Sequence, residues 1–490
     1  MFNIINKSYI NSIILNYFAF RYLIEFENKT IVMAQGLQNI SATSSLDPSQ
    51  IVIGSSVFND IRRSSAFVDK TMLIKDFVTC GDEALVITCP SRFGKSTNMD
   101  MIKTFLQIQV DESGNQIKDL EKIENYQIFK QEINNKSLKI MEEHKFVRDH
   151  FANHPVIFVN FKDAGNGSKF EDIENNIKNS ISRAFLEHEY MIEVFERIIQ
   201  NSGDEDEKED AENYLKQFLR IYEMDGESAS TWDIKHSLMF LCKILYKHFG
   251  KKVYILIDDY DSSVQNVIWS NEIDVKCIIR YFDEILCMIY KSNQYLQKGL
   301  MTGVSRLTRP PAHSGFNNAS EYEFLCSRRF SKYYGFTEAE VFQLLKDFDI
   351  MDDHKDKVKS WYGGYKVENV DLFIYNTWSV LKFLQENKYE SYWTQSGAIN
   401  KISKIFKIEG IREMINELIE NEYVKMELIS KFSVNELQEL QNLLNSNGEI
   451  SSYREDYFFS FIFELGYLSF SGDKDVYKIP NKEIETEFRR

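Results

Sequence analysis

Four short runs of apolar residues stand out in the first two thirds of the chain. They occupy positions 84–88, 156–161, 253–257 and 299–304. A continuous apolar run of this length is typical of a strand that is buried on both faces of a sheet. The pattern therefore predicts four buried strands, the last of which has the weakest signal.

Between these runs, apolar residues recur every three or four positions, which is the spacing of one helix face. Segments 177–185, 237–249 and 277–290 show this spacing. Strands that alternate with helices along a chain favour an α/β fold, in which helices flank a mainly parallel sheet.

After about residue 330 the pattern becomes mainly helical. Thr337 and Ser433 each precede a glutamate by three residues, which is the capping-box spacing of a helix start. Positions 457–465 predict a buried helix, and the apolar stretches 467–470 and 476–479 flank a polar turn, which predicts a hairpin. A helix followed by a hairpin suggests a winged-helix-like end to the helical C-terminal region.

Two changes in pattern suggest where the chain divides. A serine-rich segment lies at 41–50, and the helical pattern begins near 331. We predict an N-terminal extension and linker at 1–50, an α/β domain at 51–330 and a helical region at 331–490. Met33 is an alternative start, which would leave the residues before it outside the native protein.

The segment that follows the first run carries the strongest chemical signal. Positions 89–96 read CPSRFGKS, and a helical pattern follows them. Backbone N–H groups and the dipole at a helix start attract phosphate oxygens, and glycine lets the backbone approach them closely. We expect Lys95 to reach the β- and γ-phosphates of a nucleotide and Ser96 to bind Mg²⁺ through its hydroxyl. The phosphate-binding residues would be Arg92, Phe93, Gly94, Lys95, Ser96 and Thr97.

One position departs from the full phosphate-loop pattern. The pattern GxxxxGK[ST] requires glycine where this chain has Cys89. A Gly-Lys-Ser tripeptide can also occur in an ordinary turn with a solvated lysine. The buried strand before it and the amphipathic helix after it favour the phosphate site.

The third apolar run ends in two acids, which is the Walker B arrangement. Asp258 would hold Mg²⁺ through water, and Asp259 would act as the general base beside the attacking water. Taken alone, the pair could be the acidic start of a loop. Its combination with the phosphate loop, in a chain of alternating strands and helices, indicates a nucleotide site.

Polar residues also follow the fourth run. Thr302 is a candidate to orient water or contact the γ-phosphate, and Arg306 is a candidate to stabilise charge in the transition state. The alternative for Arg306 is an ordinary surface arginine. The eight histidines show no metal-ligand spacing, so we expect structural or surface roles for them.

Composition bears on three questions: nucleic-acid binding, the cellular compartment and membrane insertion. The 58 Lys and Arg against 74 Asp and Glu give a net charge of −16, which disfavours a nucleic-acid-binding protein. Six dispersed cysteines without a CxxC pair indicate reduced thiols in a cytoplasmic compartment. The apolar stretch at 13–26 is interrupted by polar residues, so we expect neither a signal peptide nor a membrane span.

The series of motifs resembles the predicted AAA-ATPase-like proteins, which are P-loop ATPases often fused to a C-terminal PD-(D/E)XK nuclease-like domain. It is carried by SRFGKS at 91–96, DDYD at 258–261, TGVSR at 302–306, WYGGY at 361–365 and YNTWS at 375–379. The resemblance implies a P-loop NTPase fold for the α/β domain and ATP with Mg²⁺ as ligands. It leaves a homo-oligomer open, because a neighbour often supplies an arginine in such enzymes. A nucleic-acid partner comes only from family analogy.

Two departures from that family affect the expected activity. The family usually has Asp-Glu-Tyr-Asp where this chain has Asp258-Asp259-Tyr260-Asp261. Aspartate is one methylene shorter, and misplacing a base by about 1 Å can cost on the order of 10²-fold in rate. The chain also ends near where the nuclease-like domain would begin, and it shows no nuclease set of carboxylates and a lysine, so we do not predict nuclease activity.

We therefore expect Mg²⁺-dependent ATP binding, with hydrolysis coupled to a conformational change of the C-terminal region. One alternative is a non-hydrolysing ATP-binding switch or scaffold, which the shorter acid favours. Another is a degenerate relic with only a structural role. The base preference and the protein partner stay open.

Overall fold

A computed structural model of the chain describes residues 46–133, 137–223, 229–291, 293–306, 319–394, 409–429, 432–446 and 455–489. From Leu46 onward the described residues form one compact unit. The predicted N-terminal extension up to residue 45 lies outside the described residues.

A five-stranded parallel sheet lies at the centre of this unit. Its strands are β1 (Ala84–Thr88), β2 (Val156–Asn160), β3 (Val253–Asp258), β4 (Leu296–Gly303) and β5 (Ala319–Glu323). The strand order is β2-β3-β4-β1-β5, and every neighbouring pair is parallel. The carboxyl ends of β1, β3 and β4 therefore lie at one edge of the sheet.

Helices pack on both faces of this sheet. In the first part of the chain they are α1 (Phe58–Arg62), α2 (Met72–Thr79), α3 (Lys95–Leu106), α4 (Glu124–Lys130), α5 (His144–His150), α6 (Phe170–Leu186), α7 (Tyr190–Asn201), α8 (Glu205–Tyr222), α9 (Thr231–Phe249), α10 (Ser262–Val267) and α11 (Val275–Tyr290). Val86 belongs to one hydrophobic core, whereas Leu85 and Ile87 belong to a second core on the other face. Burial on both faces explains the continuous apolar runs and confirms the predicted α/β fold class.

The fifth strand was not predicted from the sequence. Strand β5 reads Ala-Ser-Glu-Tyr-Glu and contains no apolar run. It pairs with β1 at the edge of the sheet, where Ser320 Oγ and Tyr322 Oη each donate to Asp82 at 2.6 Å. Only Ala319 of this strand is buried and the other four residues are half-buried, so its sequence carries no continuous apolar run.

The C-terminal region is mainly helical, as predicted. Its helices are α12 (Glu338–Asp347), α13 (His354–Tyr362), α14 (Thr377–Glu386), α15 (Glu409–Asn421), α16 (Val434–Leu444), α17 (Glu455–Glu464) and α18 (Lys482–Phe488). Its short strands are β6 (Phe336–Thr337), β7 (Tyr365–Lys366), β8 (Phe373–Tyr375), β9 (Val424–Lys425), β10 (Ser469–Phe470) and β11 (Val476–Lys478). Both predicted capping boxes are present, at Thr337 and at Ser433.

The end of this region has a winged-helix-like connectivity. The elements follow in the order α15, β9, α16, α17, β10 and β11, and the strands pair antiparallel in the order β10-β11-β9. The predicted hairpin is therefore confirmed. Across the described ranges, no helix is both long enough and apolar enough to cross a membrane.

Candidate functional site

The loop between β1 and α3 has the backbone geometry of an anion site. Gly94, the residue before α3, has φ 88° and ψ 17°, a left-handed conformation that glycine adopts without strain. Apart from Gly94 itself and its two chain neighbours, no described residue comes within 4 Å of the point where a Cβ on Gly94 would stand. The first N–H groups of α3, those of Lys95, Ser96 and Thr97, have no carbonyl partner one turn earlier in the helix. They are therefore available to a bound anion at a helix N-terminus.

Lys95 stabilises this loop from within. Its ammonium is buried and donates to the carbonyl oxygens of Cys89 at 2.8 Å and Pro90 at 3.0 Å. The loop is thus closed around the lysine. A phosphate group would offer this ammonium a charged acceptor in place of two neutral ones.

Phe93 faces away from the loop interior. Its ring is fully buried and packs edge-on against Phe324 at 4.7 Å and Tyr365 at 5.3 Å between ring centroids. Its carbonyl accepts from Gly335 N at 2.8 Å. Of the predicted phosphate-binding residues, Phe93 can therefore contribute only through its backbone.

A cavity of about 480 Å³ opens beside the loop, which is within the usual range for small-molecule sites. Its polar lining includes Ser96, Thr97, Asn160, Lys162 and Asp259. Its apolar lining includes Val52, Ile53, Ala66, Phe336, Trp378 and Leu381. One pocket thus joins the loop, the acidic end of β3 and an apolar surface from distant parts of the chain.

Asp258 ends β3 and is completely buried. Thr302 Oγ1 donates to its Oδ1 at 2.6 Å, and Asn160 Nδ2 donates to its Oδ2 at 3.3 Å. The strand register explains both contacts, because Asn160 lies directly opposite Asp258 and Thr302 is the second-last residue of the neighbouring strand β4. The structure therefore brings Thr302 to Asp258, and it adds Asn160, a residue for which the sequence gave no assigned role.

Asp259 forms part of the cavity wall and is half-buried. Its backbone has φ 52°, in the left-handed region that a non-glycine residue seldom adopts. Burial raises the pKa of Asp259 to about 7, and the nearby charge of Asp258 adds to the increase, whereas Lys95 opposes it. The carboxyl group can therefore change its protonation state near neutral pH.

Asp261, the third acid of the segment 258–261, has a structural role. Asp261 is buried and accepts hydrogen bonds from Ser305 N at 2.7 Å, from Val304 N at 3.1 Å and from Ser305 Oγ at 3.0 Å. It fixes the segment that follows β4. Gly303 lies so close that a Cβ there would stand 2.4 Å from the carboxylate of Asp261.

Arg306 lies outside the cavity wall. Its guanidinium is buried and forms ion pairs with Glu323 at 2.6 Å and with Glu464 at 3.1 Å. Its backbone N–H also donates to Glu464, at 3.3 Å. The structure thus does not bring Arg306 to the other predicted site residues. It joins the end of β4 to the last residue of α17 instead.

The C-terminal region packs directly on the phosphate loop. Trp393 Nε1 donates to the carbonyl of Ser91 at 3.0 Å, and the guanidinium of Arg92 lies 4.2 Å from the ring centroid of Trp378. Pro90 is in close contact with Gly466, where an added Cβ would stand 2.7 Å from the proline ring. These contacts span more than 280 positions of sequence, so no local pattern could have indicated them.

The oxygen atoms around the cavity suit a magnesium ion. Ser96 offers a hydroxyl and Asp259 a carboxylate at the cavity wall, and the buried carboxylate of Asp258 lies behind Asn160, which also lines the cavity. Hydroxyl and carboxylate oxygens are the hard donors that Mg²⁺ prefers. In the described parts of the chain, no three His, Cys, Asp or Glu side chains are grouped as a metal site. A Mg²⁺ ion usually keeps several water ligands and binds substrate phosphates, so it needs only one or two ligands from the protein.

Comparison with known proteins agrees with this geometry. A family model described as a predicted AAA-ATPase matches residues 52–310, more than half of the chain. The chain belongs to the AAA-ATPase-like family. No curated protein matches the chain. Membership of the AAA-ATPase-like family supports nucleotide binding as the general activity, and the matched range includes the loop, Asp258, Asp259 and Arg306.

Proposed function

We propose that this protein binds ATP with Mg²⁺ in the cavity beside the loop and hydrolyses it, and that the C-terminal region responds to the bound nucleotide. One observation carries the proposal: the N-terminus of α3 and the side chain of Asp259 line the same cavity. One ligand in this cavity could therefore contact both the anion site at the start of α3 and the carboxyl group of Asp259, whose pKa lies near neutral pH.

The triphosphate would lie along the start of α3. The N–H groups of Lys95, Ser96 and Thr97 would bind the phosphate oxygens, and the helix dipole would add to their attraction. The ammonium of Lys95 would leave the carbonyls of Cys89 and Pro90 for the β- and γ-phosphates.

Ser96 and Asp258 would hold the magnesium ion. When bound, Mg²⁺ would neutralise charge on the β- and γ-phosphates. The hydrogen bonds from Thr302 and Asn160 leave lone pairs on both oxygens of Asp258 and keep the carboxylate in one orientation. That arrangement suits a contact through coordinated water.

Asp259 would accept the proton of the attacking water. A base is most effective when its pKa lies near the operating pH, and the pKa of Asp259 is raised to about 7. The aspartate is nevertheless one methylene shorter than the glutamate usual in the family. We therefore expect turnover to be slow compared with a site that carries glutamate.

The nucleoside would occupy the apolar part of the cavity. Trp378 and Leu381 of α14, together with Phe336, offer an apolar surface for a flat base. Because α14 belongs to the C-terminal region, the nucleotide would touch both the sheet and that region. The contacts of Trp393 with Ser91 and of Trp378 with Arg92 would transmit a change in the loop.

Nucleotide binding and phosphate release by three proteins test the proposal. Wild type should bind ATP, Lys95→Ala should lose binding, and Asp259→Glu should raise turnover because the longer acid reaches further. The exposed Lys252 provides a control, since Lys252→Ala should change neither measurement. Melting curves without nucleotide separate lost binding from lost folding. If Asp259→Glu lowers turnover, the argument from side-chain length is wrong.

A non-hydrolysing switch or scaffold is the second candidate, and the short acid at position 259 favours it. Such a protein would bind ATP with measurable affinity and release no phosphate over many hours. In a protein with only a structural role for the cavity, ATP and Mg²⁺ would leave the melting temperature unchanged.

We make no proposal of nucleic-acid binding. In helix-turn-helix proteins the second helix of the pair reads the major groove, and α17 holds that place in the winged-helix-like unit. Phe458, Phe461 and Ile462 of α17 are all buried in the core. The helix is therefore used for packing, and the net charge of −16 opposes binding to phosphates elsewhere.

A further inference from the structure

Lys162 stands at the carboxyl end of the sheet, two residues after β2. Its backbone is held on both sides: its N–H donates to Asn160 Oδ1 at 2.8 Å, and its carbonyl accepts from Ser262 Oγ at 2.7 Å. Asn160 also contacts Asp258, so the position of Lys162 is tied to the Walker B acid. The lysine is therefore carried on a fixed backbone at the acidic side of the cavity.

The side chain of Lys162 differs from that of Lys95. It is exposed and lines the cavity, whereas Lys95 is buried within its loop. Among the described residues, Lys162 forms no ion pair and no side-chain hydrogen bond. Its charge nevertheless reaches the carboxyl group of Asp259. A lysine with an unused ammonium thus faces the site where the proposed γ-phosphate and attacking water would meet.

Hydrolysis of ATP in this cavity would require a positive side chain near the γ-phosphate. When a γ-phosphoryl group is transferred, negative charge must be stabilised on its oxygens, and a second positive side chain besides the loop lysine commonly does this. Arg306 is the candidate from sequence, but its guanidinium is held by Glu323 and Glu464 outside the cavity. Arg92, the other nearby arginine, stacks on Trp378.

We propose that Lys162, at the cavity wall after β2, binds the γ-phosphate oxygens of ATP, and that it stabilises their charge during hydrolysis. This inference rests on the proposed function. In the reaction, the water oxygen bonds to the γ-phosphorus while the bond from that phosphorus to the β–γ bridging oxygen breaks. The electron pair of the broken bond stays on ADP, and the proton of the water passes to Asp259. Lys162 donates hydrogen bonds throughout and changes no covalent bond.

The proposal distinguishes ATP from ADP, because only ATP carries the γ-phosphate. In Lys162→Met we expect the affinity for ATP to fall about tenfold or more, a loss typical of one charged hydrogen bond, while the affinity for ADP stays within about twofold. Turnover should fall on the order of 10²-fold. Lys162→Arg keeps the charge and should recover most of both losses.

Lys252→Met is the matched control, since it removes one exposed lysine at the opposite end of β3. It should leave the affinities for ATP and ADP and the turnover unchanged. Melting temperatures without nucleotide should agree among all four proteins, because Lys162 makes no contact through its side chain that folding requires.

The outcomes separate this inference from the function on which it rests. If wild type binds neither ATP nor ADP, the proposed function fails. If wild type binds both and Lys162→Met has the same affinity ratio and turnover, Lys162 is a solvated surface lysine and only this inference fails. If the protein binds ATP without hydrolysing it, turnover gives no information. The ratio of ATP affinity to ADP affinity, compared between wild type and Lys162→Met, then tests the role of Lys162.

Discussion

Asp259 carries several unfavourable features at once. It has a left-handed backbone, it is half-buried, and it follows another acid, Asp258. A non-glycine residue in a sparsely populated backbone region costs about 1–3 kcal/mol, and burial of a carboxylate adds to that cost. Strain of this kind persists at functional sites, where the surrounding structure holds it in place.

The first prediction concerns the loss of folding stability that an ionised Asp259 causes. Because its folded-state pKa is about 7 and its ordinary value is 3.8, the folded protein loses stability as the pH rises between those values. In the presence of a chelator, Asp259→Asn should therefore melt a few degrees above wild type at pH 8, and the difference should shrink at pH 5. Differential scanning calorimetry at both pH values measures it. An equal difference at the two pH values would contradict the assigned shift.

The second prediction concerns the hydroxyl that supports Asp258. Thr302→Val removes the donor at 2.6 Å and leaves a buried carboxylate oxygen without it, at a cost of about 1–3 kcal/mol. We expect lower stability in urea and a higher Mg²⁺ concentration for half-maximal ATP binding. Thr302→Ser keeps the hydroxyl and should behave like wild type. Equal Mg²⁺ dependence in the two variants would show that Thr302 acts elsewhere.

At the scale of elements, the segment after β4 links the acidic edge of the sheet to α17. Asp261 binds the segment at Val304 and Ser305, and Arg306 then joins it to Glu464. Burial raises the pKa of Glu464 to about 7, although the charge of Arg306 opposes the increase. A change at the tip of β4 can therefore reach the helical region through one buried ion pair.

The third prediction tests whether Arg306 links elements or takes part in hydrolysis. Arg306→Met should destabilise the protein at pH 8 by about 3–5 kcal/mol, because Glu464 loses its buried partner. The loss should be smaller at pH 5, where Glu464 is protonated. The double variant Arg306→Met/Glu464→Gln should regain much of the stability. If Arg306→Met instead keeps full stability and loses only turnover, the role predicted from sequence is right.

In the whole molecule, segments far apart in sequence meet at the cavity proposed to bind nucleotide. The loop belongs to the first quarter of the described chain, and Trp378 and Trp393 approach it from the C-terminal region. Glu483 of α18 supports this contact, since it accepts from Trp393 N at 2.6 Å and from Ser379 Oγ at 2.8 Å. The two regions therefore form one packed structure around the cavity.

The fourth prediction concerns transmission through Trp393. ATP binding should slow hydrogen exchange in the loop and also in α14. Trp393→Phe removes the hydrogen bond to Ser91 but keeps an aromatic ring, so we expect stability to fall by only about 0.5–1.5 kcal/mol. The nucleotide-dependent protection of α14 should weaken in this variant while ATP affinity changes little. Trp232→Phe, at an exposed tryptophan, is the control. Unchanged protection in Trp393→Phe would exclude this route.

Local pattern was sufficient for much of the fold and for part of the site. Four strands could be predicted because burial demands continuous apolar runs, and β5 was missed because four of its five residues are only half-buried. The loop at 89–96 could be predicted as a phosphate site because phosphate binding imposes a fixed local backbone with a short sequence pattern. The cluster of Thr302, Asn160 and Asp258 depends instead on strand order, which a single sequence does not reveal.

Local sequence was enough to predict the kinds of element, the loop at 89–96, the acidic end of β3 and the family that they indicate, since each depends on residues close together in the chain. Only the tertiary structure decided which side chains share the cavity. It placed Lys162 in the cavity wall, paired Arg306 with Glu464 and packed Trp393 on the loop. The physical reason is that parallel strands bring distant strand ends to one edge, so a charge finds its partner according to strand order rather than sequence spacing.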